Sequence, residues 1–203
     1  MFMRTFLVLH GLENRRWPGH WQRHLVAALR AAGHPTIYPQ LPNEATPAQD
    51  EWHDVVRTEL ELLHEAGAIS VTVIAHSLSG VSILGLLENV ASPIAIEHLL
   101  LVAPADPELI AQRTDFRLDV SSPTVRAGLQ RSVERVTLIA SEADEWLPRG
   151  VEETYAQPLE LEPVLFHGAG HISMNDGFGL WQGVINWALA PESDERHQLL
   201  LQR

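Results

Sequence analysis

The chain has no cysteine among its 203 residues, and this absence removes several kinds of chemistry at once. A disulfide framework, a thiolate nucleophile and a cysteine-ligated zinc site are all excluded. The G-x-G-x-x-G and Walker signatures of nucleotide binding are also missing, so the sequence does not support a nucleotide cofactor. We therefore expect no cofactor and no metal.

Long apolar runs and positive charge are scarce as well. No stretch reaches the roughly 18 apolar residues of a membrane span. The N-terminal run ends at His10 without the features of a signal peptide, and it predicts a first strand. With 14 basic against 26 acidic residues, the formal net charge is −12, which disfavours nucleic acid and anionic membrane surfaces as partners. We expect a cytoplasmic protein that acts on a small molecule, and the oligomeric state is not readable from the sequence.

Short apolar runs alternate with helical patterns along the chain. Runs rich in branched residues predict five strands and a weaker sixth: Thr5–Leu9, Val71–Ala75, His98–Val102, Val136–Ala140, Leu161–Phe166 and Thr36–Tyr38. This alternation predicts an α/β fold, a doubly wound, mostly parallel sheet of about six strands with helices on both faces. The length suits a single domain, residues 1–203, and we expect the polar tail at 191–203 to fray.

Helical patterns separate most of the strands. Three of them are predicted at Trp21–Ala32, Leu78–Asn89 and Leu180–Leu189. Another begins near residue 46, where Thr46 as N-cap, Pro47 at the first helical position and Gln49 at the third predict a capping box.

Residues 104–135 form the least regular part of the sequence. Between positions 109 and 120 apolar residues alternate with charged ones, and they do not form the continuous stripe of a lid helix. We therefore expect an open, lidless site, with Phe116 or Leu118 as an apolar rim.

The most informative stretch surrounds Ser77. A β-branched run stops at this serine, small residues flank it, and a helical pattern follows, which is typical of a nucleophile elbow. Ala75 and Ser79 stand where the usual signature has glycines, and we expect Gly80 to supply part of the lost backbone freedom. The alternative is an ordinary strand-to-helix turn with an incidental serine.

Topology brings a second segment toward this serine. If the strand order reverses beside the first strand, the ligand crevice lies where that strand and the serine-bearing strand end. Those ends carry His10-Gly11 and Ser77. With Gly11 permitting a turn, the N–H groups of Leu12 and Leu78 are candidates for an oxyanion hole. The simpler interpretation of His10-Gly11 is a plain strand-end turn.

A serine nucleophile needs a base, and two of the eleven histidines follow the last predicted strand. His171 lies in the glycine-rich loop before the last helix, where it is free to reach the serine, and it is the favoured base. His167 stands at the strand end itself and is the weaker candidate.

The base in turn needs an orienting acid, and three carboxylates compete for that place. Asp144 follows the Val136–Ala140 strand in a loop that ends at Pro148, and it is favoured. Glu142 lies two residues earlier. Asp106 follows the preceding strand. The remaining alternative is that Asp144 is a surface aspartate without a function.

These motifs together resemble the α/β-hydrolase superfamily, and specifically the small, lidless serine hydrolases of the RBBP9/YdeN-like group. The resemblance covers essentially the whole chain and rests on His10-Gly11, Pro18-Gly-His-Trp21-Gln, Tyr38-Pro-Gln-Leu-Pro42, the elbow, Ser141-x-x-Asp144 and Gly170-His171. Glu145 departs from the family pattern, because a proline often follows the acid.

The resemblance implies that Ser77, Asp144 and His171 form a catalytic triad. The implied activity is hydrolysis of small esters, with thioesters and amides as alternatives, through an acyl-serine intermediate and without a cofactor. The competing class is a non-enzymatic protein-interaction module that keeps a vestigial hydrolase site.

Further residues are candidates for the substrate pocket. His10, Trp21 and Trp146 fall near the predicted site, although tryptophans more often serve as packing residues. His20 and His24 have the i, i+4 spacing of half a metal site. Because no third ligand is in sequence reach, a solvated helix face is the favoured interpretation.

Overall fold

A six-stranded, entirely parallel sheet forms the centre of the structure, a computed structural model that describes residues 3–193 and 196–202. The strands are β1 (Phe6–Leu9), β2 (Thr36–Ile37), β3 (Ser70–His76), β4 (Ala95–Val102), β5 (Val136–Ser141) and β6 (Pro163–Phe166). Their order is β2-β1-β3-β4-β5-β6, so the direction of winding reverses between β1 and β3. The predicted doubly wound α/β fold is confirmed.

Helices cover both faces of this sheet. They are α1 (Trp21–Ala31), α2 (Gln49–Glu65), α3 (Leu78–Asn89), α4 (Pro107–Ala111), α5 (Pro123–Ser132), α6 (Gln157–Leu159) and α7 (Gln182–Leu189). A wide helical turn at Glu152–Ala156 precedes α6, and a 3₁₀ turn at Met174–Asp176 precedes α7. Helices α1 and α7 pack on one face, while α2, α3 and α5 pack on the other.

The two-residue period of the strands produces the two apolar cores. In β1, Phe6 and Val8 point toward α1 and α7, whereas Leu7 and Leu9 point toward α2 and α3. Helix α3 is apolar around most of its circumference and is buried over residues 78–87, because it lies between the sheet and α5. Such burial on all sides holds the start of α3, and with it Ser77, in a fixed position.

The start of α2 differs from the prediction. The N-cap is Ala48 and Gln49 is the first helical residue, so the capping box expected at Thr46 is wrong. The Gln49 N–H donates instead to the Asp115 carboxylate at 2.8 Å, and the Gln49 side chain accepts the Arg117 N–H at 2.6 Å. A carboxylate from a distant segment therefore caps this helix.

The irregular segment 104–135 packs on the α2 side of the sheet. Phe116 is buried edge-to-face against Trp52, with ring centroids 5.5 Å apart, and Leu118 packs against the same core. Neither forms the apolar rim that we expected. Helix α5 was not predicted, although Ser122 caps it and Pro123 occupies its first turn, a local start signal.

The C-terminal segment also differs from the expected frayed tail where the structure describes it. Residues Arg196–Leu201 form a 3₁₀ turn against α7, and Leu200 is completely buried. The Trp181 indole N–H donates to the Leu200 carbonyl at 2.9 Å. Within residues 3–193 and 196–202, no helix combines the length and the apolarity that crossing a bilayer requires.

Candidate active site

Ser77 occupies the junction between β3 and α3 in a strained backbone conformation. Its φ of 59° and ψ of −125° lie outside the regions that non-glycine residues usually adopt. The Ser77 N–H donates to the Val102 carbonyl at 3.0 Å, and this bond ties the turn to the neighbouring strand β4. This strand–serine–helix geometry is that of a nucleophile elbow.

Ser79 explains why the elbow does without the usual second glycine. Its hydroxyl accepts the His76 N–H at 2.9 Å and lies within 3.0 Å of the Leu9 carbonyl and 2.9 Å of the His76 carbonyl. The hydroxyl has one proton and donates it to one of these two acceptors. Ser79 thus holds the end of β3 through the His76 N–H and places its hydroxyl beside the end of β1, which a glycine cannot do.

Two glycines near the elbow serve close packing, and our expectation that they provide turn freedom is wrong. A Cβ on Gly11 would lie 2.7 Å from the Ser77 Cβ, and one on Gly80 would lie 2.9 Å from the Pro104 Cβ. Neither glycine has a positive φ. Each is required because another part of the chain approaches it too closely for a side chain.

A continuous hydrogen-bonded chain links Ser77, His171 and Asp144. The His171 Nε2 lies 2.7 Å from the Ser77 Oγ, and the His171 Nδ1 lies 2.8 and 2.9 Å from the two Asp144 carboxylate oxygens. The Asp144 side chain is completely buried. With the Nδ1 proton donated to the carboxylate, Nε2 is left to accept the serine hydroxyl proton.

The competing residues form other pairs. Glu142 and His167 contact each other at 2.9 Å on the surface, away from the serine. Asp106 accepts two hydrogen bonds from the Arg149 guanidinium, at 2.7 and 2.8 Å, and its carboxylate also caps α4. These pairs leave the two competing carboxylates without a contact to His171 among the described residues.

Two residues that the sequence analysis missed hold the His171 backbone. The Asp176 carboxylate accepts the His171 N–H at 3.1 Å and both the N–H and the hydroxyl of Ser173. On the other side, the His76 Nε2–H donates to the His171 carbonyl at 3.0 Å. The sequence offered one signal for His76, its position directly before the elbow serine. Its hydrogen-bond partner, the His171 carbonyl, is 95 residues away and could not be read from that position.

The cleft above Ser77 has a volume of about 520 Å³. Its walls come from the loop after β1, the elbow, the loop after β5 and the loop that carries His171; among the apolar wall residues are Leu12, Trp17, Trp146 and Met174. Trp146 also lies beside the His171 ring, with centroids 5.8 Å apart. Of the three predicted pocket residues, Trp146 is the one that lines the cleft.

His10 and Trp21 lie beneath the cleft, where both are completely buried. The His10 Nε2 accepts the Leu41 N–H at 2.9 Å, and its Nδ1–H donates to the Gly11 carbonyl at 2.8 Å. The Trp21 indole N–H donates to the Ile172 carbonyl at 3.0 Å. Both residues support the loops around the cleft and do not form its wall.

Two further histidines line the cleft in the neutral state. Burial lowers the pKa of His20 to about 4, with a smaller contribution from nearby His10. Burial, with the neighbouring His171 and His20, holds the pKa of His76 well below its ordinary value.

The expected solvated face is wrong for His20, whose Nδ1 accepts the Gln22 N–H and caps α1. His24 is exposed, and the described residues contain no group of three metal-ligating side chains.

The two candidate oxyanion donors lie at the same end of the sheet. Leu78 is the first residue of α3, where backbone N–H groups have no acceptor within the helix. Leu12 lines the cleft in the loop after β1. The positive end of the α3 dipole favours negative charge at this position.

An open parallel sheet with a nucleophile elbow at its switch point defines the α/β-hydrolase class. The chain belongs to the serine hydrolase family, whose model matches residues 6–188.

Solved structures support the same class. The chain is similar to the ydeN gene product of B. subtilis, with 22% identity, a TM-score of 0.74 and coverage of 90% of this chain and 95% of that one. A putative yden-like hydrolase from Pectobacterium atrosepticum has 26% identity and a TM-score of 0.67 over 90% and 87% of the two chains.

The chain is more distantly similar to a structure from work on LipS and LipT, two metagenome-derived lipolytic enzymes. The identity is 14% and the TM-score is 0.62, over 83% of this chain and 85% of that one. No curated protein sequence matches the chain.

Proposed function

We propose that this protein is a carboxylesterase-like serine hydrolase that cleaves small esters through an acyl-Ser77 intermediate. The observation that carries the proposal is the hydrogen-bonded chain from Ser77 through His171 to the buried Asp144. A serine hydroxyl is a weak nucleophile unless a base accepts its proton, and a neutral imidazole at 2.7 Å is suitably placed to do so. Thioesters and amides share the reacting carbonyl and are further possible substrates.

The first half of the proposed reaction forms the acyl-enzyme. His171 Nε2 takes the Ser77 proton while the Ser77 Oγ forms a bond to the ester carbonyl carbon. The carbonyl π electrons move to oxygen, and the N–H groups of Leu12 and Leu78 stabilise that oxyanion. When the tetrahedral intermediate collapses, the bond to the leaving alcohol breaks, and His171 donates its proton to that oxygen.

The second half releases the acid and restores the enzyme. His171 removes a proton from water as the water oxygen attacks the acyl carbon, and a second tetrahedral intermediate forms. Its collapse breaks the bond to Ser77 Oγ, which recovers the proton from His171. Asp144 keeps its charge throughout, holds the imidazole in the required tautomer and stabilises the imidazolium.

The shape of the cleft favours small substrates. It is open to solvent, its volume of about 520 Å³ suits a compact ligand, and no residue from 104–135 lines it. A lipase-like lid would require an amphipathic helix over the elbow, and α4 and α5 do not border the cleft. We therefore expect short acyl esters to be preferred over long-chain lipids, without activation at an oil–water interface.

The proposal is tested with a fluorophosphonate probe and p-nitrophenyl acetate, comparing wild type with Ser77→Ala. We expect labelling of wild type, no labelling of the variant, and a loss of kcat on the order of 10⁶. The control is Ser121→Ala, which changes an exposed serine on the protein surface and leaves both readouts unchanged. Equal labelling of Ser77→Ala would identify another nucleophile, and no labelling of the folded wild type would favour the vestigial interaction module.

A further inference from the structure

Four arginines line a shallow depression beside the cleft. Arg15, Arg16, Arg23 and Arg30 surround it, its volume is about 350 Å³, and its remaining wall consists of Val26, Ala27 and Tyr38. Arg23 and Arg30 are seven residues apart on α1, so two helical turns place them along one side of the helix. Arg16 lies in the loop that leads into α1, a further seven residues back.

This concentration of positive charge is unusual for the molecule. The chain has 14 basic and 26 acidic residues, yet four of the basic ones meet here and no acidic residue lines the depression. Like charges that converge repel one another, and nearby carboxylates usually offset that repulsion. Arg15 does have a partner, the Glu44 carboxylate at 2.5 Å.

Backbone carbonyls hold the other three guanidinium groups in place. Arg16 donates to the Tyr38 carbonyl at 2.7 Å, Arg23 to the Arg16 carbonyl at 3.0 Å, and Arg30 to the Thr36 carbonyl at 3.0 Å. Carbonyl oxygens orient a guanidinium without neutralising it. Within residues 3–193 and 196–202, none of the three forms a salt bridge.

Each of these arginines keeps unused donors. A guanidinium has five N–H groups. Arg16 uses two of them, Nε toward the Gln40 side-chain oxygen and Nη1 toward the Tyr38 carbonyl. Arg23 uses one, through Nη1, and Arg30 directs Nε and Nη2 to the same Thr36 carbonyl. Planar guanidinium forks of this kind match the oxygens of a phosphate, with two parallel N–H···O bonds for each arginine.

We propose that this depression is a binding site for the phosphoryl dianion of a small phosphorylated molecule. Arg16, Arg23 and Arg30 supply the charge and the N–H donors, and the apolar side chains of Val26 and Ala27 form a floor for the organic part. The proposal does not depend on the hydrolase activity, because no catalytic residue lines the depression.

Calorimetric titration of the full chain with inorganic phosphate at pH 8 and constant ionic strength tests this site. A second titration with phenyl phosphate measures the gain from an organic group. The test variant is Arg23→Gln with Arg30→Gln, which removes two charges and keeps side-chain length. The matched control is Arg57→Gln with Arg126→Gln, which changes the net charge equally at two exposed surface pairs.

We expect saturable phosphate binding in wild type and in the control, and binding at least about tenfold weaker in the test variant. Phenyl phosphate should bind more tightly than inorganic phosphate. Phosphate binding no stronger than that of chloride, or equal binding in the test variant, would overturn the proposal. Circular dichroism of the test variant establishes that it is folded, and its single Arg30→Gln form replaces it if it is not.

Discussion

Two buried aspartates follow neighbouring strands at the same edge of the sheet, and they differ in their partners. Asp106 comes after β4 and Asp144 after β5, and both side chains are almost completely buried. Each accepts the backbone N–H two residues further on, at 2.9 Å in both cases. The Asp106 N–H even donates to the carbonyl of Trp146 in the other loop, at 2.8 Å.

The partners give the two carboxylates different proposed roles, a structural one for Asp106 and a catalytic one for Asp144. Asp106 faces a guanidinium, which remains protonated at any pH that the protein encounters, so the pair orders two loops and exchanges no proton. Asp144 faces an imidazole, whose other ring nitrogen lies against the Ser77 hydroxyl and can accept its proton. The two aspartates thus have similar burial and similar turns, and they differ in the side chain that each carboxylate faces.

The largest effect that we expect from this contrast is on catalysis at Asp144. Asp144→Asn keeps the shape of the side chain but removes the charge and favours the wrong tautomer of His171. We expect kcat/KM on p-nitrophenyl acetate to fall by about 10⁴. The control is Glu142→Gln, which alters the exposed pair with His167 and should change kcat/KM less than about twofold.

A loss of activity in Glu142→Gln as large as that in Asp144→Asn would erase the distinction between the two loop carboxylates. Activity retained by Asp144→Asn would require another residue to orient His171.

The next effect is on stability at Asp106. Asp106→Asn removes the buried carboxylate that faces the Arg149 guanidinium, which then keeps only the exposed Glu108 carboxylate at 2.8 Å. We expect the free energy of unfolding to fall by about 3 kcal/mol. This value is at the lower end of the range for breaking a buried ion pair, because a third of the Arg149 side chain is exposed. Urea unfolding measures it, with Asp54→Asn at the exposed Asp54–Arg57 pair as a control expected to cost less than about 1 kcal/mol.

The rate of ester turnover by Asp106→Asn also distinguishes the two aspartates. At a temperature where Asp106→Asn is folded, its kcat/KM should stay within a few-fold of wild type. A drop comparable with that of Asp144→Asn, in folded protein, would place Asp106 in the catalytic machinery.

The smallest effect that we expect is the pH dependence of the contribution that Asp106 makes to the free energy of unfolding. Burial alone raises the pKa of Asp106, but hydrogen bonds from Arg149 and the Glu108 N–H, with the Arg149 charge, lower it below 3.8. A carboxylate whose folded pKa lies below its unfolded value stabilises the fold above the unfolded pKa and loses that contribution as the pH falls.

The difference in unfolding free energy between wild type and Asp106→Asn should therefore be constant from about pH 7 to 5 and shrink below about pH 4. Urea titrations at a series of pH values measure this difference. A difference that grew with acidification would show that the sign of the pKa shift is opposite.

Local patterns in the sequence predicted the sheet and the elbow well. The strands from β1 to β6 form from short apolar runs rich in branched residues. The run before Ser77 predicted the strand-to-helix turn. These features depend on residues that are close in the chain. The candidates Ser77, Asp144 and His171 are far apart in the chain, and their positions after successive strands, together with the family resemblance, pointed to them.

Tertiary contacts decided what the local patterns could not. Asp115 caps α2 from 66 residues away, the Ser79 hydroxyl lies 3.0 Å from a β1 carbonyl 70 residues earlier, and Arg149 binds Asp106 across 43 residues. The sequence shows that each of these groups is polar, but only packing determines which groups meet. Partner choice depends on distances of a few ångströms between segments far apart in the chain, and that choice makes Asp106 a structural residue and places Asp144 against His171.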